Sequence, residues 1–255
     1  MTDMKWLTSS WMVLLILVLL TTLRWFDPTP VQRLRLLNFD GYQTLIEKKT
    51  AQRTVLYDIG EEQLKENGQW PWPRDKIAQL VADLYNGGAS LVVLNMMFPE
   101  EDRMGGDSAL ISVMQQIPIV LTQTASTRAS GTEATPRGLS YSGDPFPWLF
   151  EYPGAVMNLK SIADVAAGVG MVATVPEIDG VVRRMPLAVR VGDAIYPSLP
   201  MEILRVAVGS KSFQIKTTAA GITAMRVRGF PIVYPDMNGR VWIDFSVDIP
   251  REGIE

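Results

Sequence analysis

The chain has 255 residues, 47% of them hydrophobic and 20% charged, which is typical of globular proteins and excludes a disordered or fibrous chain. Its net charge of −3 gives no electrostatic reason to expect nucleic acid as a partner. The chain contains neither histidine nor cysteine, which excludes Ser-His-Asp and Cys-His catalysis, disulfide bonds, and zinc or copper sites with their usual ligands. Any metal site would have oxygen ligands alone. We expect no cofactor.

The first predicted element is a membrane-spanning helix near the amino terminus. Between Lys5 and Arg24 lie 18 uncharged residues, Trp6 to Leu23, of which 13 are apolar. As a helix they would extend roughly 27 Å, about the thickness of the hydrocarbon core of a bilayer. No small-residue cleavage site follows, so the segment is interpreted as an uncleaved anchor and not as a signal peptide. A buried core helix is the alternative.

The flanking charges predict one orientation of this anchor, but the size of the following domain weakens that prediction. Arg24, Arg33 and Arg35 follow the segment, whereas Lys5 precedes it, and this count by itself places the main domain in the cytoplasm. Large domains, however, are translocated largely regardless of flanking charge. The sequence alone leaves the orientation open.

A helix and a parallel sheet are predicted next. Leucines at roughly helical spacing in residues 31–49 predict a stalk helix. An alternation of apolar runs and helical patterns then predicts strand, helix, strand, helix and strand, which favours two right-handed crossovers and a parallel sheet. The predicted bounds are 54–59 for a buried strand, 75–86 for a helix, 90–98 for a strand, 107–116 for a helix and 117–122 for a strand.

The second half of the chain changes to shorter strands. Residues 122–147 are rich in Ser, Thr, Gly and Pro and are interpreted as a long surface excursion. Strands are predicted at 169–174, 182–191, 223–228, 231–234 and 241–245, with a helix at 198–208 and a hairpin turn at 236–239. The predicted fold is therefore α/β, a mixed sheet with a parallel βαβαβ start and later antiparallel strands. The predicted domains are an anchor at 1–25, a stalk helix at 26–50 and an α/β domain at 51–255.

The most distinctive motif is Trp70-Pro71-Trp72-Pro73-Arg74, directly before a predicted helix. Two prolines restrict the backbone and hold the two indole rings in defined positions. Such rings can line a ligand pocket or an interface, or they can simply cover the edge of the sheet. Trp70, Trp72 and Arg74 are therefore candidate ligand-binding residues.

Acidic and amide side chains follow the first two predicted strands. Asp58 lies at the end of the first strand with Glu61 and Glu62. Asn95 lies at the end of the second with Glu100, Glu101 and Asp102. In parallel sheets this edge is where ligands usually bind, and oxygen ligands suit a hard cation. The alternative is a set of solvated loop acids, and we predict no metal site.

Two adjacent arginines follow a turn at Asp179-Gly180. Because neighbouring strand residues point to opposite faces, either Arg183 or Arg184 is expected to point inward. An inward arginine needs a carboxylate, and Asp58 or Asp179 is a plausible partner. An anion site is the alternative, so Asp179 and Arg183 are also candidates.

The order of these motifs resembles the second type of CHASE domain, the extracytoplasmic sensor module of bacterial signalling proteins. The resemblance covers roughly residues 31–250. It is carried by V-L-Y-D-I-x-x-x-x-L (55–64), N-G-Q-W-P-W-P-R (67–74), G-A-S-L-V-V-L-N-M-M-F-P-E (88–100), D-x-x-L (107–110), D-G-V-V-R-R-M-P-L (179–187) and Y-P-S-L (196–199). Gly60 and Asn95 depart from the family pattern, which has acidic residues at these positions, and this makes an acidic ligand or metal site less expected here.

The resemblance implies a signal-input domain on the outer side of the cytoplasmic membrane, with no catalysis of its own. A cytoplasmic effector in the full-length protein is implied, a nucleotide cyclase first, and a homodimer that switches between two arrangements when a small-molecule or protein signal binds. Two alternatives remain open. One is a membrane-tethered envelope scaffold that binds proteins through Trp70, Trp72 and the excursion at 122–147. The other is a metal-dependent hydrolase using Asp58, Glu100 or Asp179.

Overall fold

The structure is a computed structural model that describes residues 10–128 and 138–253. Its contacts divide the chain into two compact units. Residues 10–57, 176–181 and 244–252 form what we call the terminal unit, and the remaining described residues form the main unit.

The elements are as follows in chain order. The helices are α1 (Ser10–Phe26), α2 (Thr29–Leu45), α3 (Glu61–Asn67), α4 (Arg74–Asn86), α5 (Asp107–Met114), α6 (Lys160–Ala163) and α7 (Leu199–Ala207). The first strands are β1 (Lys49–Thr50), β2 (Leu56–Asp58), β3 (Val92–Leu94), β4 (Ile119–Ser126), β5 (Leu139–Ser142), β6 (Glu151–Tyr152), β7 (Gly154–Val156) and β8 (Gly168–Val172). The later strands are β9 (Arg184–Pro186), β10 (Ala188–Val191), β11 (Ala194–Pro197), β12 (Phe213–Thr218), β13 (Gly221–Val227), β14 (Arg240–Trp242), β15 (Val247–Asp248) and β16 (Arg251–Gly253).

The terminal unit begins with two helices that meet at a sharp bend. No residue of α1 is buried. Pro30 lies in the first turn of α2, where its missing N–H costs nothing, and Asp27 in the break has a φ of 40°. Within residues 10–128 and 138–253 no single helix is long and apolar enough to cross a membrane, while α1 and α2 meet that test together but with an 84° bend. Residues 6–9 of the predicted anchor lie outside the described residues.

The rest of the terminal unit joins the two ends of the described chain. β1 pairs in parallel with β15, and β2 pairs with β16. The prediction of a buried strand at 54–59 that opens the parallel sheet is wrong. β2 is exposed along its whole length, and its partner strand is supplied by the carboxyl-terminal part of the chain. An apolar run favours the formation of a strand, but it does not determine which other strand that strand pairs with.

The first part of the main unit contains the parallel sheet. β4 pairs in parallel with β3 and β8 and antiparallel with β7. α4 and α5 contribute Ile77, Val81 and Leu110 to the first hydrophobic core, and β4 contributes Ile119 and Leu121. The predicted helices at 75–86 and 107–116 and strands at 90–98, 117–122 and 169–174 correspond to α4, α5, β3, β4 and β8, although β3 is much shorter than predicted.

The second part of the main unit is built from small sheets around a second core. The strand orders are β11-β10-β6, β13-β12-β5 and β14-β9, and they contain parallel and antiparallel pairs. Phe213 and Ile215 of β12 and Met225 of β13 are buried in this core. α7 corresponds to the helix predicted at 198–208. A mixed α/β fold is therefore confirmed.

Several predicted strands differ from the structure in this part. The strand predicted at 182–191 is two strands, β9 and β10, and residues 231–234 form a single bridge between Val233 and Met225. The turn at 236–239 is present, with the Gly239 N–H bonded to the Asp236 carbonyl, but the following strand β14 pairs with β9 and does not form the predicted hairpin. Part of the predicted excursion at 122–147 belongs to β4 and β5, and residues 129–137 lie outside the described residues.

Candidate functional site

The tryptophan motif lies directly before α4 and presents its two indole rings differently. Trp72 is buried and donates a hydrogen bond from its indole N–H to the Gly68 carbonyl oxygen over 2.8 Å. Trp70 is 45% exposed, and the centroids of the two rings are 6.1 Å apart. The ammonium of Lys76 lies 4.6 Å from the Trp72 ring centroid and donates to the Asn67 carbonyl oxygen over 2.6 Å. Trp72 therefore packs within the protein, while Trp70 offers a face to solvent.

Arg74, the last residue of the motif, is held by the loop that follows β3. Its guanidinium donates to a carboxylate oxygen of Asp107 and to the backbone carbonyl of Glu100. The guanidinium carbon also lies 5.1 Å from the ring centroid of Phe98. The side chain is only 10% exposed, so an incoming anion would have to displace Asp107 from it. Arg74 therefore acts as a structural link in this state of the protein.

Asp102 completes what we call the Arg74 network, which comprises Arg74, Glu100, Asp102, Gly106 and Asp107. The Asp102 carboxylate accepts hydrogen bonds from the backbone N–H groups of Arg74 over 3.0 Å and Gly106 over 3.0 Å. These hydrogen bonds, that from Arg74 foremost, hold the pKa of Asp102 below its usual value. The Asp102 N–H in turn donates to Asp107 over 2.9 Å. The network ties the loop after β3 to the first turn of α4.

Gly106 allows this close approach. A Cβ at residue 106 would lie 2.5 Å from the backbone nitrogen of Asp75 and 2.8 Å from a carboxylate oxygen of Asp102. Asp102 was predicted only as one member of the acidic cluster after the second strand, and Asp107 was not predicted as a site residue. The available signal was the pair of aspartates on either side of a Gly-Gly turn, at the start of a helix.

The acidic candidates do not form a metal centre. Across residues 10–128 and 138–253, no group of three or more Asp or Glu side chains is arranged to hold a metal ion. Asp58 and Glu100 are exposed, and the exposed Asn95 accepts a weak hydrogen bond from Thr122 over 3.4 Å.

The two adjacent arginines have different environments. Arg183 is 3% exposed, which confirms that one of the pair points inward. Arg184 pairs with Asp236 over 2.9 Å, and its guanidinium lies 4.8 Å from the Trp242 ring centroid. Arg240 shares the same Asp236 carboxylate, also over 2.9 Å. Asp236, a turn residue far along the chain, was not predicted as a partner for these arginines.

Asp179 lies in a turn of the terminal unit. It is exposed, and its carboxylate accepts a hydrogen bond from the Val181 N–H over 3.2 Å. Gly180 has a φ of 83°, which favours glycine at this position. The pairing of Asp58 or Asp179 with Arg183 stays a prediction.

The comparisons with known proteins give one match. The family model for the CHASE2 domain matches residues 12–252, which is nearly the whole chain. No curated protein and no solved structure matches the chain.

Proposed function

Because the chain belongs to the CHASE2 domain family, we propose that it is the extracytoplasmic sensory domain of a membrane-bound bacterial signalling receptor. CHASE2 domains are extracytoplasmic sensor domains, and sensing requires the binding of a signal. The family match over residues 12–252 carries this proposal. The Arg74 network agrees with it, since its charged groups are used to hold the loop after β3 and not to form a reactive centre.

The proposal includes an anchor at residues 6–23 in the cytoplasmic membrane. Its support is the composition of the segment and the exposure of α1, whose leucine and valine side chains are between 37% and 60% exposed. Exposed apolar surface of this extent is characteristic of a membrane or protein contact. The sensor domain would then lie in the periplasm, and an effector would lie in the cytoplasm.

The proposed effector is a nucleotide cyclase, and the proposed functional form is a homodimer. A signal would favour one of two arrangements of the dimer, and only a difference in affinity between the two arrangements can drive such a shift. The pairing of β1 with β15 and of β2 with β16 gives a route by which such a shift could be transmitted. The Lys49 N–H donates to the Ser246 carbonyl over 2.9 Å, and the Leu56 N–H donates to the Pro250 carbonyl over 2.8 Å, so a movement of α2 would reach the carboxyl-terminal segment.

For the signal itself, we propose that contact is made at the exposed face of Trp70. The candidates Asp58, Asn95 and Glu100 would contribute exposed polar groups of the main unit, while Trp72, Arg74 and Arg183 would hold the structure of that unit. Replacement of Trp70 by Ala should abolish the response to the signal while leaving folding unchanged. The matched Trp72→Ala variant should instead lower stability.

A scaffold that binds an envelope protein is the second candidate function. It is favoured by the exposed apolar side chains of one segment of the main unit, namely Phe230, Ile232, Tyr234 and Met237, which are between 44% and 76% exposed. Such a patch is typical of a protein contact.

Sequencing the gene beyond codon 255 tests the receptor against the scaffold. Further hydrophobic spans followed by a catalytic domain are expected for a receptor, and a stop codon there would favour the scaffold. A reporter fused after Glu255 tests the orientation. An alkaline phosphatase fusion should be active because this enzyme folds only outside the cytoplasm, and activity of a cytoplasmic reporter alone would contradict the proposed placement.

A further inference from the structure

α2 carries an exposed apolar face that no described part of the chain covers. It consists of Leu34, Leu37, Tyr42 and Leu45, which are 61%, 63%, 68% and 82% exposed, and we call it the leucine face. Leu34, Leu37 and Leu45 lie on one side of the helix, because residues three and eleven positions apart are separated by roughly one and three helical turns.

The opposite side of α2 already has its own buried residue. Leu36 is 4% exposed, so the contact that holds α2 within the protein does not use the leucine face. Gly41 lies within the leucine face, and no atom of the described chain comes within 4 Å of the position of a Cβ there. A glycine inside a helix costs about 1 kcal/mol relative to alanine, and the packing of the chain itself gives no reason for it.

The geometry of the terminal unit indicates what covers this face. α2 begins three residues after α1 ends and is bent from it by 84°. If α1 stands along the membrane normal, α2 therefore lies nearly in the plane of the membrane, immediately outside its surface. Trp25 and Phe26, at the end of α1, are 83% and 75% exposed, and such aromatic side chains are favoured at the headgroup level.

We propose that α2 is an interfacial helix whose leucine face is buried among phospholipid headgroups. This rests on the proposed anchor at residues 6–23. Apolar side chains on one face of a helix with arginines beside them are typical of helices that lie in the membrane surface. Arg33 and Arg35 flank the leucine face, and long arginine side chains can reach phosphate groups while their stems remain in apolar surroundings. Arg35 also pairs with Asp27 over 2.9 Å, but that pair is exposed and weak.

A second copy of the chain fits this face less well. The four side chains expose on the order of 500 Å² per copy, so a dimer built on them would bury about 1,000 Å², which is the lower limit for a specific interface. A coiled-coil stalk would also require α2 to continue the direction of α1, and the 84° bend removes that continuity. Burial of the leucine face in the membrane surface requires neither a minimum interface area between two copies nor a continuous helix from α1 to α2.

The proposal has a consequence for signal transfer. Gln43 near the end of α2 accepts a hydrogen bond from the Phe245 N–H over 3.2 Å. A change in the depth of α2 in the headgroup layer would therefore pull on the carboxyl-terminal segment. Lipid composition would become an input to the sensor alongside its ligand.

Site-specific labelling of the full chain in phospholipid vesicles tests this proposal. Because the chain contains no cysteine, a single introduced cysteine carries a unique environment-sensitive fluorophore. The labelled sites are Leu34→Cys, Leu37→Cys and Leu45→Cys on the leucine face, with Lys211→Cys and Ala219→Cys as controls at exposed loop positions of the main unit. The vesicles contain phosphatidylethanolamine and phosphatidylglycerol, with a quencher attached to the lipid near the headgroup.

We expect the lipid quencher to reduce emission from the three leucine-face labels at least about twofold more than emission from the two control labels. Burial of one face of the helix predicts this difference. Equal quenching of all five labels would overturn the proposal. So would leucine-face labels that are shielded from water but not quenched by lipid, because these would indicate a second copy of the chain. Leu37→Glu should lower lipid quenching of a Leu45→Cys label, since a carboxylate disfavours burial at this depth.

A label on α1 separates failure of this proposal from failure of the anchor. Val18→Cys should be quenched by a quencher near the end of the lipid chains if residues 6–23 span the membrane. Quenching at residue 18 with water-exposed labels on α2 would overturn the interfacial helix and leave the anchor standing. No lipid quenching at either place would overturn both.

Discussion

The terminal unit and the main unit treat their apolar residues in opposite ways. Leu110 of α5 is completely buried in the main unit, whereas Leu37 of α2 in the terminal unit is 63% exposed. The same contrast holds for strands, since Phe213 of β12 is completely buried and Val247 of β15 is 40% exposed. The main unit therefore buries most of its apolar side chains in its own cores, although the segment from Phe230 to Met237 stays exposed. The terminal unit leaves much of its apolar surface exposed, which the proposed position beside the membrane would require.

The largest test of this contrast replaces matched leucines in two helices. Leu110→Ala should lower the free energy of unfolding by about 2–5 kcal/mol, because it removes buried methyl groups and leaves a cavity. Leu37→Ala, with the same change in helix propensity, should change it by less than about 0.5 kcal/mol. Urea unfolding of the full chain in detergent micelles, followed by tryptophan fluorescence, measures both. Similar losses for the two variants would contradict the distinction between the units.

A second test compares a buried and an exposed ion pair. Arg74→Ala leaves the Asp107 carboxylate without its charged partner in a mostly buried place and should cost about 3 kcal/mol of unfolding free energy. Arg35→Ala breaks the exposed pair with Asp27 and should cost less than about 1 kcal/mol. The same urea experiment reports both values. An Arg74→Ala variant as stable as Arg35→Ala would show that the Arg74 network does not hold the loop after β3.

The two glycines should respond with opposite signs. Gly106→Ala places a Cβ against the Asp75 backbone and the Asp102 carboxylate, and the resulting overpacking should cost about 1–3 kcal/mol. Gly41→Ala meets no atom of the chain and should raise helix stability by up to about 1 kcal/mol. Thermal unfolding followed by circular dichroism gives the sign directly. Destabilisation by Gly41→Ala would mean that something occupies that space.

The smallest expected effect is in the acid range. The pKa of Asp102 is lowered in the folded protein, so its contribution to stability is present above the unfolded pKa of about 4 and is lost as pH falls toward the folded value. The Asp102→Asn variant should therefore have a lower free energy of unfolding than the parent at neutral pH. Its free energy of unfolding should also fall less than that of the parent on acidification. Midpoints of urea unfolding measured across the acid range give the slope of stability against pH for the variant and for the parent.

Asp244 in the terminal unit is the matched control for this pH dependence. The hydrogen bond from the Ser246 hydroxyl also lowers its pKa, but it is fully exposed, so Asp244→Asn should leave the acid limb of global unfolding unchanged. If Asp102→Asn and the parent lost stability in parallel, the Asp102 hydrogen bonds would not contribute to the pH dependence.

Local patterns predicted the elements of the parallel part of the main unit. The helical spacing before Gly87-Gly88 predicts α4, and the apolar run that includes Ile119–Leu121 predicts β4, since both signals lie within the element itself. β12 also carries such a signal, an alternation in which Phe213, Ile215 and Thr217 are buried, although it was not predicted. The signal for β12 is therefore present in its local sequence.

The partners of elements and charges were much harder to predict. β2 has the apolar run of a buried strand, yet it pairs with β16, which is almost 200 residues further along the chain. Asp236 is a turn residue by its local sequence, yet it binds Arg184 and Arg240. Asp102 and Asp107 resemble ordinary loop acids until Arg74 is placed between them. In each case at least one partner lies far away in the chain and has no signal at the site itself.

The sequence by itself determined the family, the mixed α/β class, the exclusion of histidine and cysteine chemistry, and the position of most helices, because each depends on composition or on short-range order. Only the tertiary structure decided which strands pair, which of the two arginines in the Arg183-Arg184 pair is buried, and which apolar residues stay exposed. Strand edges and charged groups are chemically alike along the chain, so their choice of partner depends on the whole packed arrangement. The leucine face of α2 and the buried Leu36 on its other side belong to the same helix, and the packed chain alone distinguishes them.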